Sequence, residues 1–260
     1  VDRLLAPARA QQGGRGRGGT KPGSLLRSKI PIRTGVWDLT QPGYLEADRV
    51  AHCGGSMAGD FIWSLTYTDI LSGWTEGGAV WNQGFAGVLA ATRAVEAGLP
   101  FPLLRFDSDN GGEFLNQHLW RYMRERLKPV DFTRSRPYHS DDNAHEEQKN
   151  WTWARQLLGY GRLENPALVG PISALYREVW APWQNFFLPC LKLQRKWRVG
   201  SHWHKRYELP QTAYQRLCAP GILPRKARRA PRECYASLDP FALIEELDKR
   251  VKQILHANPK

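Results

Sequence analysis

Three acidic residues, Asp48, Asp109 and Glu147, have the types and settings from which a divalent-cation site is built. Asp48 lies in YLEADRVAH, whose alternation predicts a strand. Glu46, Asp48 and Val50 fall on one face, and Leu45, Ala47 and Ala51 on the other. Asp109 follows a short apolar run (Phe101, Leu103, Leu104, Phe106) that reads as a buried strand. It precedes a glycine turn opening a helix marked by Phe114, Leu115, Leu119, Tyr122 and Met123. By itself, Asp109-Asn110-Gly111 reads as an ordinary turn. Glu147 falls in Ser140 to Gly159, which predicts a long helix with Asn143 as N-cap and Glu146 positioned to close a capping box. Glu147 is about 100° further round that helix and points elsewhere. Two strand carboxylates and one helix carboxylate can converge on a small volume. Mg²⁺ takes such oxygen ligands and keeps waters for substrate phosphates to replace. Two ions about 3.5–4 Å apart support an in-line displacement at phosphorus without a histidine base or a covalent nucleophile.

The elements that must position these residues follow in order. After YLEADRVAH come DFIWSLTYTDI and WTEGGAV, joined by a Ser72-Gly73 turn, which together predict a three-stranded meander. Phe85, Val88, Leu89, Thr92 and Val95 recur at helical spacing before Gly98 and Pro100. The Asp109 strand and its helix come next, then VDFTRS as a fifth strand, then the Glu147 helix. The order βββ, α, β, α, β, α predicts a mixed α/β sheet with helices on its faces. Leu168 to Phe187 reads as an aromatic-rich helix interrupted by Pro171 and Pro182. A last helix starts at Asp239-Pro240, with Leu243, Leu247, Val251 and Ile254 as an apolar stripe against the body or a partner helix.

Composition narrows the partner. The 260-residue chain carries a formal charge of +12 and a pI near 9.8, which favours a polyanion. Residues 1–33 have the composition of a basic glycine-rich linker. KLQRKWRVGSHWHKRY, Lys192 to Tyr207, interleaves cations with tryptophans. It suits a nucleic-acid track, or equally a solvated strand or loop whose tryptophans complete the core. Candidate phosphate contacts are Arg134, Arg136, Lys149, Arg155, Lys192, Arg195, Lys196, Arg198, Lys205 and Arg206. The four cysteines lack zinc spacing and read as ordinary thiols of a cytosolic protein. No apolar run approaches a membrane span. A start at Val1 reads as a fragment whose N-terminal domain lies outside these residues.

LEADRVAH, FDSDNGGEF and RPYHSDDNAHEEQKNW together resemble the three blocks of the DDE transposase and retroviral-type integrase catalytic core, and more closely the bacterial insertion-sequence transposases of that group. The resemblance runs from about Gly35 to Leu217 and implies a ribonuclease H-like core over residues 34–188, with a basic region, 189–260, after it. It also implies that Asp48, Asp109 and Glu147 are catalytic. Asp48 would bridge two Mg²⁺ or Mn²⁺ ions, and the other two residues would each hold one. The implied reaction frees a 3′-hydroxyl at a transposon end and joins it to target DNA. The implied setting is a homo-oligomer assembled on DNA in a bacterial cytoplasm, at the nucleoid. Two departures stand out. The 38-residue step from Asp109 to Glu147 is slightly long, and Glu146 occupies a usually apolar position, so the two glutamates could exchange roles. A non-catalytic DNA-binding scaffold and a ribonuclease H-type nuclease are the alternatives.

Overall fold

The computed structural model describes residues 29–33, 39–82, 84–108, 114–135 and 151–258. Five strands, β1 (Tyr44–Ala51), β2 (Ile62–Asp69), β3 (Thr75–Trp81), β4 (Arg105–Ser108) and β5 (Asp131–Arg134), form one sheet in the order β3-β2-β1-β4-β5. The meander β1-β2-β3 is antiparallel, while β4 and β5 run parallel to β1. This is the mixed sheet expected from the element order, in the ribonuclease H-like strand arrangement that the resemblance implied.

Alternation along the strands divides the core between the two faces. On one face Leu45, Ala47, Leu65, Tyr67 and Phe106 pack beneath helices α1 (Phe85–Gly98) and α2 (Gln117–Arg124), which contribute Val88, Val95, Leu119 and Met123. Asn116 caps α2 by accepting a bond from the Leu119 amide at 2.8 Å. On the other face Ile62 and Ala79 meet α3 (151–158) and α4 (169–187). The helix predicted to end at Gly159 does so, with Gly159 at φ +75°.

The predicted interruptions of α4 are absorbed rather than breaking it. Pro171 falls in the first turn, where an amide has no intrahelical partner. Pro182 lies between two wide turns, Tyr176–Trp180 and Trp183–Phe187, in which bonds span five residues, as from the Ala181 amide to Tyr176.

The linker composition of residues 1–33 does not hold for their last five. Ile30 is buried in the core, Ile32 bridges Arg134 in parallel, and the Arg33 amide donates to the Arg134 carbonyl at 2.9 Å. These residues add a single parallel bridge at the edge of β5, because that edge offers free backbone groups and Ile30 reaches the core.

Beyond α4 the chain forms a hairpin, β6 (Leu193–Val199) and β7 (His202–Tyr207), then α5 (Ala213–Leu217), α6 (Arg229–Ser237) and α7 (Pro240–His256). Ala213, Leu217 and Leu223 join the first core and Ile254 the second, so α5 and α7 belong to the same body. The stripe Leu243, Leu247, Val251 and Ile254 packs on that body, as one of its two expected destinations required. Among the described residues, no helix is long and apolar enough to cross a membrane.

Candidate functional site

Asp48 lies in the middle of β1 and is half-buried, and its Oδ1 accepts a bond from the Arg49 amide at 2.7 Å. Its surroundings follow from strand register. Glu46 pairs with Thr68 on one side and Asp107 on the other, and the row continues to Thr75 and Thr133. This polar row is closed. Glu46 and Asp107 are 3% and 1% exposed, and Arg33 reaches both, at 2.7 Å to Glu46 and 3.3 Å to Asp107. Thr133 donates to the Asp107 carboxylate. Of the two aspartates in FDSDNGGEF, Asp107 is therefore committed to the fold.

Asp48 occupies the next row on the same face, opposite Thr66, which in turn faces Gly77. The last register pair between β1 and β4 is Ala47 with Ser108, one residue short of Asp48 and Asp109 in sequence. Asp109, Arg136, Glu146, Glu147 and Lys149, like the Asn143 cap, lie outside the described residues. Among the described residues no three His, Cys, Asp or Glu side chains gather where a metal ion could sit. Asp48, by its half-exposed position and hard oxygen donors, fits a ligand of Mg²⁺.

The start of α3 is fixed on this face by a contact that sequence reasoning missed. Trp153 is fully buried, stacked on Tyr176 at 5.7 Å between ring centres and beside Trp180 at 6.2 Å. It lies directly on Gly77: a Cβ there would stand 2.4 Å from the indole Nε1. The signal was present, because a Gly-Gly pair inside a strand marks the close approach of another element. Ala154 is buried beside it.

Below Trp153 runs a buried polar chain. His52 Nε2 is 2.7 Å from Ser64 Oγ, which is 2.6 Å from the Tyr176 hydroxyl. Burial, reinforced by the Arg155 charge, lowers the His52 pKa to about 4, so the ring is neutral near pH 7. Arg155 itself is half-buried and stacks on the Tyr160 ring at 5.0 Å.

The other candidate phosphate contacts separate clearly. Arg195, Lys196, Arg198, Lys205 and Arg206 are exposed on the hairpin. Lys192 is not among them in character. Its ammonium donates to the carbonyls of Ile70 and Leu71, the latter at 2.5 Å, and burial lowers its pKa to about 8. It secures the hairpin base to the β2–β3 turn, so its ammonium, unlike those of the exposed hairpin cations, is engaged within the fold. Arg134 is partly committed too, donating from Nε to the Ile30 carbonyl at 3.1 Å. Arg216, unremarked in the sequence, is the second anchor. It bonds Glu208 at 2.9 Å, the Gln211 carbonyl at 2.9 Å and the Cys190 carbonyl at 2.6 Å.

No protein-family model matches the chain. It is similar to an uncharacterised protein, y4rM, of Sinorhizobium fredii, with 39% identity over 213 residues; the match covers 81% of this chain and 59% of that protein. The chain thus spans under two thirds of that relative's length. Among solved structures it is similar to a chain of the simian T-cell lymphotropic virus intasome in complex with PP2A regulatory subunit B56 gamma. That match has a TM-score of 0.48 and 15% identity, and covers 74% of this chain and 59% of that one. The catalytic core domain of HTLV-2 integrase, solved with magnesium, matches at a TM-score of 0.41 and 14% identity, over 58% of this chain and 91% of that one. The corresponding domain of BIV integrase matches at 0.32 and 15%, over 45% and 66%.

Proposed function

We propose that the chain is the core of a DDE-type polynucleotidyl transferase, a transposase that cuts DNA ends and joins their 3′-hydroxyls to target DNA. The observation that carries this reading is the position of Asp48. It is a half-exposed carboxylate on the central strand, one row beyond a closed Arg33-Glu46-Asp107 cluster, at the end of the parallel β1–β4 pair where Asp109 follows Ser108. Asp109 is the next residue after Ser108 in the chain, and in this reading its carboxylate joins that of Asp48. Trp153 holds the start of α3 against the same face, over Gly77. Glu147 precedes α3 in the chain, and in this reading its carboxylate completes the set.

Asp48, Asp109 and Glu147 would hold the divalent cations, with Glu146 tying down the helix start. The ions, when bound, supply Lewis-acid activation of the attacking and leaving oxygens. The chain's own residues do the rest. The Arg33 cluster keeps Asp48's strand in register, and Trp153 against Gly77 sets the height of α3 above the sheet. Arg136, Lys149, Arg155 and the hairpin cations hold the DNA phosphates. Binding DNA through several phosphates makes the affinity fall steeply with salt.

Nicking of supercoiled plasmid in Mn²⁺ tests this. The chain should cleave, and Asp48→Asn, Asp109→Asn and Glu147→Gln should each abolish cleavage while keeping DNA affinity. Glu146→Gln should stay active and lose at most about 1 kcal/mol of helix capping. An inactive Glu146→Gln beside an active Glu147→Gln would reverse the two roles. No cleavage by the parent chain, despite salt-sensitive DNA binding, would make the protein a scaffold of this fold.

A further inference from the structure

The hairpin β6–β7 has an arrangement that phosphate binding in general does not require. Its strands pair Arg195 with Arg206 and, next to them, Lys196 with Lys205. Like charges directly opposite each other destabilise a strand pair. No Asp or Glu occurs from Leu191 to Tyr207, and none of the five cations pairs with a carboxylate among the described residues. Both faces are open to solvent. One carries Lys196, Arg198, Lys205 and Trp203, and the other Arg195, Trp197, His204 and Arg206. Trp203 is 58% exposed, with Lys196 4.6 Å above its ring. A free two-stranded ribbon is marginal in water. This one is held at its base by Lys192 and Arg216 and projects from there.

We propose that this ribbon enters the major groove of duplex DNA, its two cationic faces each meeting one of the phosphate walls. The proposal rests on the reading of DNA as the substrate, and it adds where and how the duplex is gripped. A track for a single strand needs one cationic face; positive charge on both faces calls for anions on both sides. The dimensions agree. Two strands lie about 4.8 Å apart, and with side chains such a ribbon matches a groove about 12 Å wide rather than one of about 6 Å. Its tip is slim: Val199 pairs with His202 across the two residues Gly200 and Ser201, Gly200 having φ +60°. The duplex supplies the counter-charge that the cross-strand pairs lack.

The test is fluorescence anisotropy of the 260-residue chain on a labelled duplex of about three helical turns, without divalent metal so that binding is read apart from cleavage. Methyl green, a major-groove ligand, should displace the chain, whereas distamycin, which occupies the minor groove, should not. A single strand of the same length should bind at least about tenfold more weakly. The variant K196Q/K205Q should reduce the slope of log affinity against log salt by about 2. Hydrogen exchange in the DNA-free variant should show the ribbon at least as protected as in the parent, because repulsion has been removed; loss of affinity is then not loss of folding. Displacement by distamycin instead of methyl green, equal binding of single strands, or an unchanged salt slope would each overturn the proposal. Plasmid cleavage with an unaltered K196Q/K205Q salt slope would discard the ribbon's role and keep the transferase. Groove competition as expected, with no cleavage by the parent, would do the reverse.

Discussion

Gly77→Ala tests whether the Trp153 contact sets the candidate site. The new Cβ would stand 2.4 Å from Trp153 Nε1, 2.8 Å from Cε2 and 2.9 Å from Cζ2. Ordinary contact between such atoms is about 3.5–4.0 Å, so the rigid indole must withdraw by roughly 1 Å. It has nowhere to turn, being buried against Tyr176 and Trp180, and the displacement passes to α3. Overpacking of this kind costs about 1–3 kcal/mol. Replacing a strand glycine returns about 0.5–1 kcal/mol through chain entropy. The net expectation is a loss of about 1–2 kcal/mol in urea unfolding followed by far-ultraviolet circular dichroism. Under the proposed role of Glu147, which precedes α3 in the chain, a shift of about 1 Å in α3 should lower the plasmid-nicking rate by on the order of 10²-fold. Trp153→Phe provides a smaller ring, so Gly77→Ala should be milder in that background, with a coupling of at least about 1 kcal/mol. Additivity of the two substitutions within about 0.3 kcal/mol, or full activity of Gly77→Ala, would refute this account.

Other expectations concern groups whose roles the structure defines. His52, with a folded pKa of about 4 against 6.5 for the free side chain, refuses a proton that the unfolded chain accepts. Stability should therefore fall as pH drops from 6.5 to 4, by about 3 kcal/mol in all. His52→Gln keeps a polar partner for Ser64 and should remove that increment. Equal pH slopes for variant and parent across the window would show that His52 does not titrate as described. Lys192→Met should lower stability by about 1–2 kcal/mol, because two turn carbonyls lose their donor, yet leave DNA affinity within twofold by anisotropy. A large affinity loss would return Lys192 to the DNA contacts. Asp239 caps α7 by accepting from the Phe241 amide at 2.9 Å, and Asp239→Ala should cost about 1 kcal/mol in the same unfolding assay.

Element types were legible because local rules and tertiary demands agreed. The alternation of Leu45 and Ala47 against Glu46 and Asp48 is what a strand with one face in the core and a polar row on the other selects, and it predicted β1. Helix α1 and the start of α7 were equally readable from apolar spacing and from Asp239-Pro240. Residues 29–33 were not, since a five-residue edge addition has no periodicity of its own and depends on the vacant side of β5. Lys192 shows the same limit at one side chain. A lysine in a basic run reads as a phosphate contact until the carbonyls of a turn more than 120 residues away are seen to accept its hydrogen bonds.

The sequence by itself determined the strand carrying Asp48, the helix ending at Gly159, the uncompensated charge and the order of the five strands along the chain, because each is set by neighbours a few residues apart. Only the tertiary structure decided which acids are buried together. Glu46 and Asp107 become a closed pair around Arg33, while Asp48, two residues from Glu46, stays half-exposed in the next row. It also decided that an indole rests on Gly77 and that the hairpin cations face one another. These outcomes depend on register between distant segments, and a register is fixed by packing across the whole sheet rather than by any stretch of residues read alone.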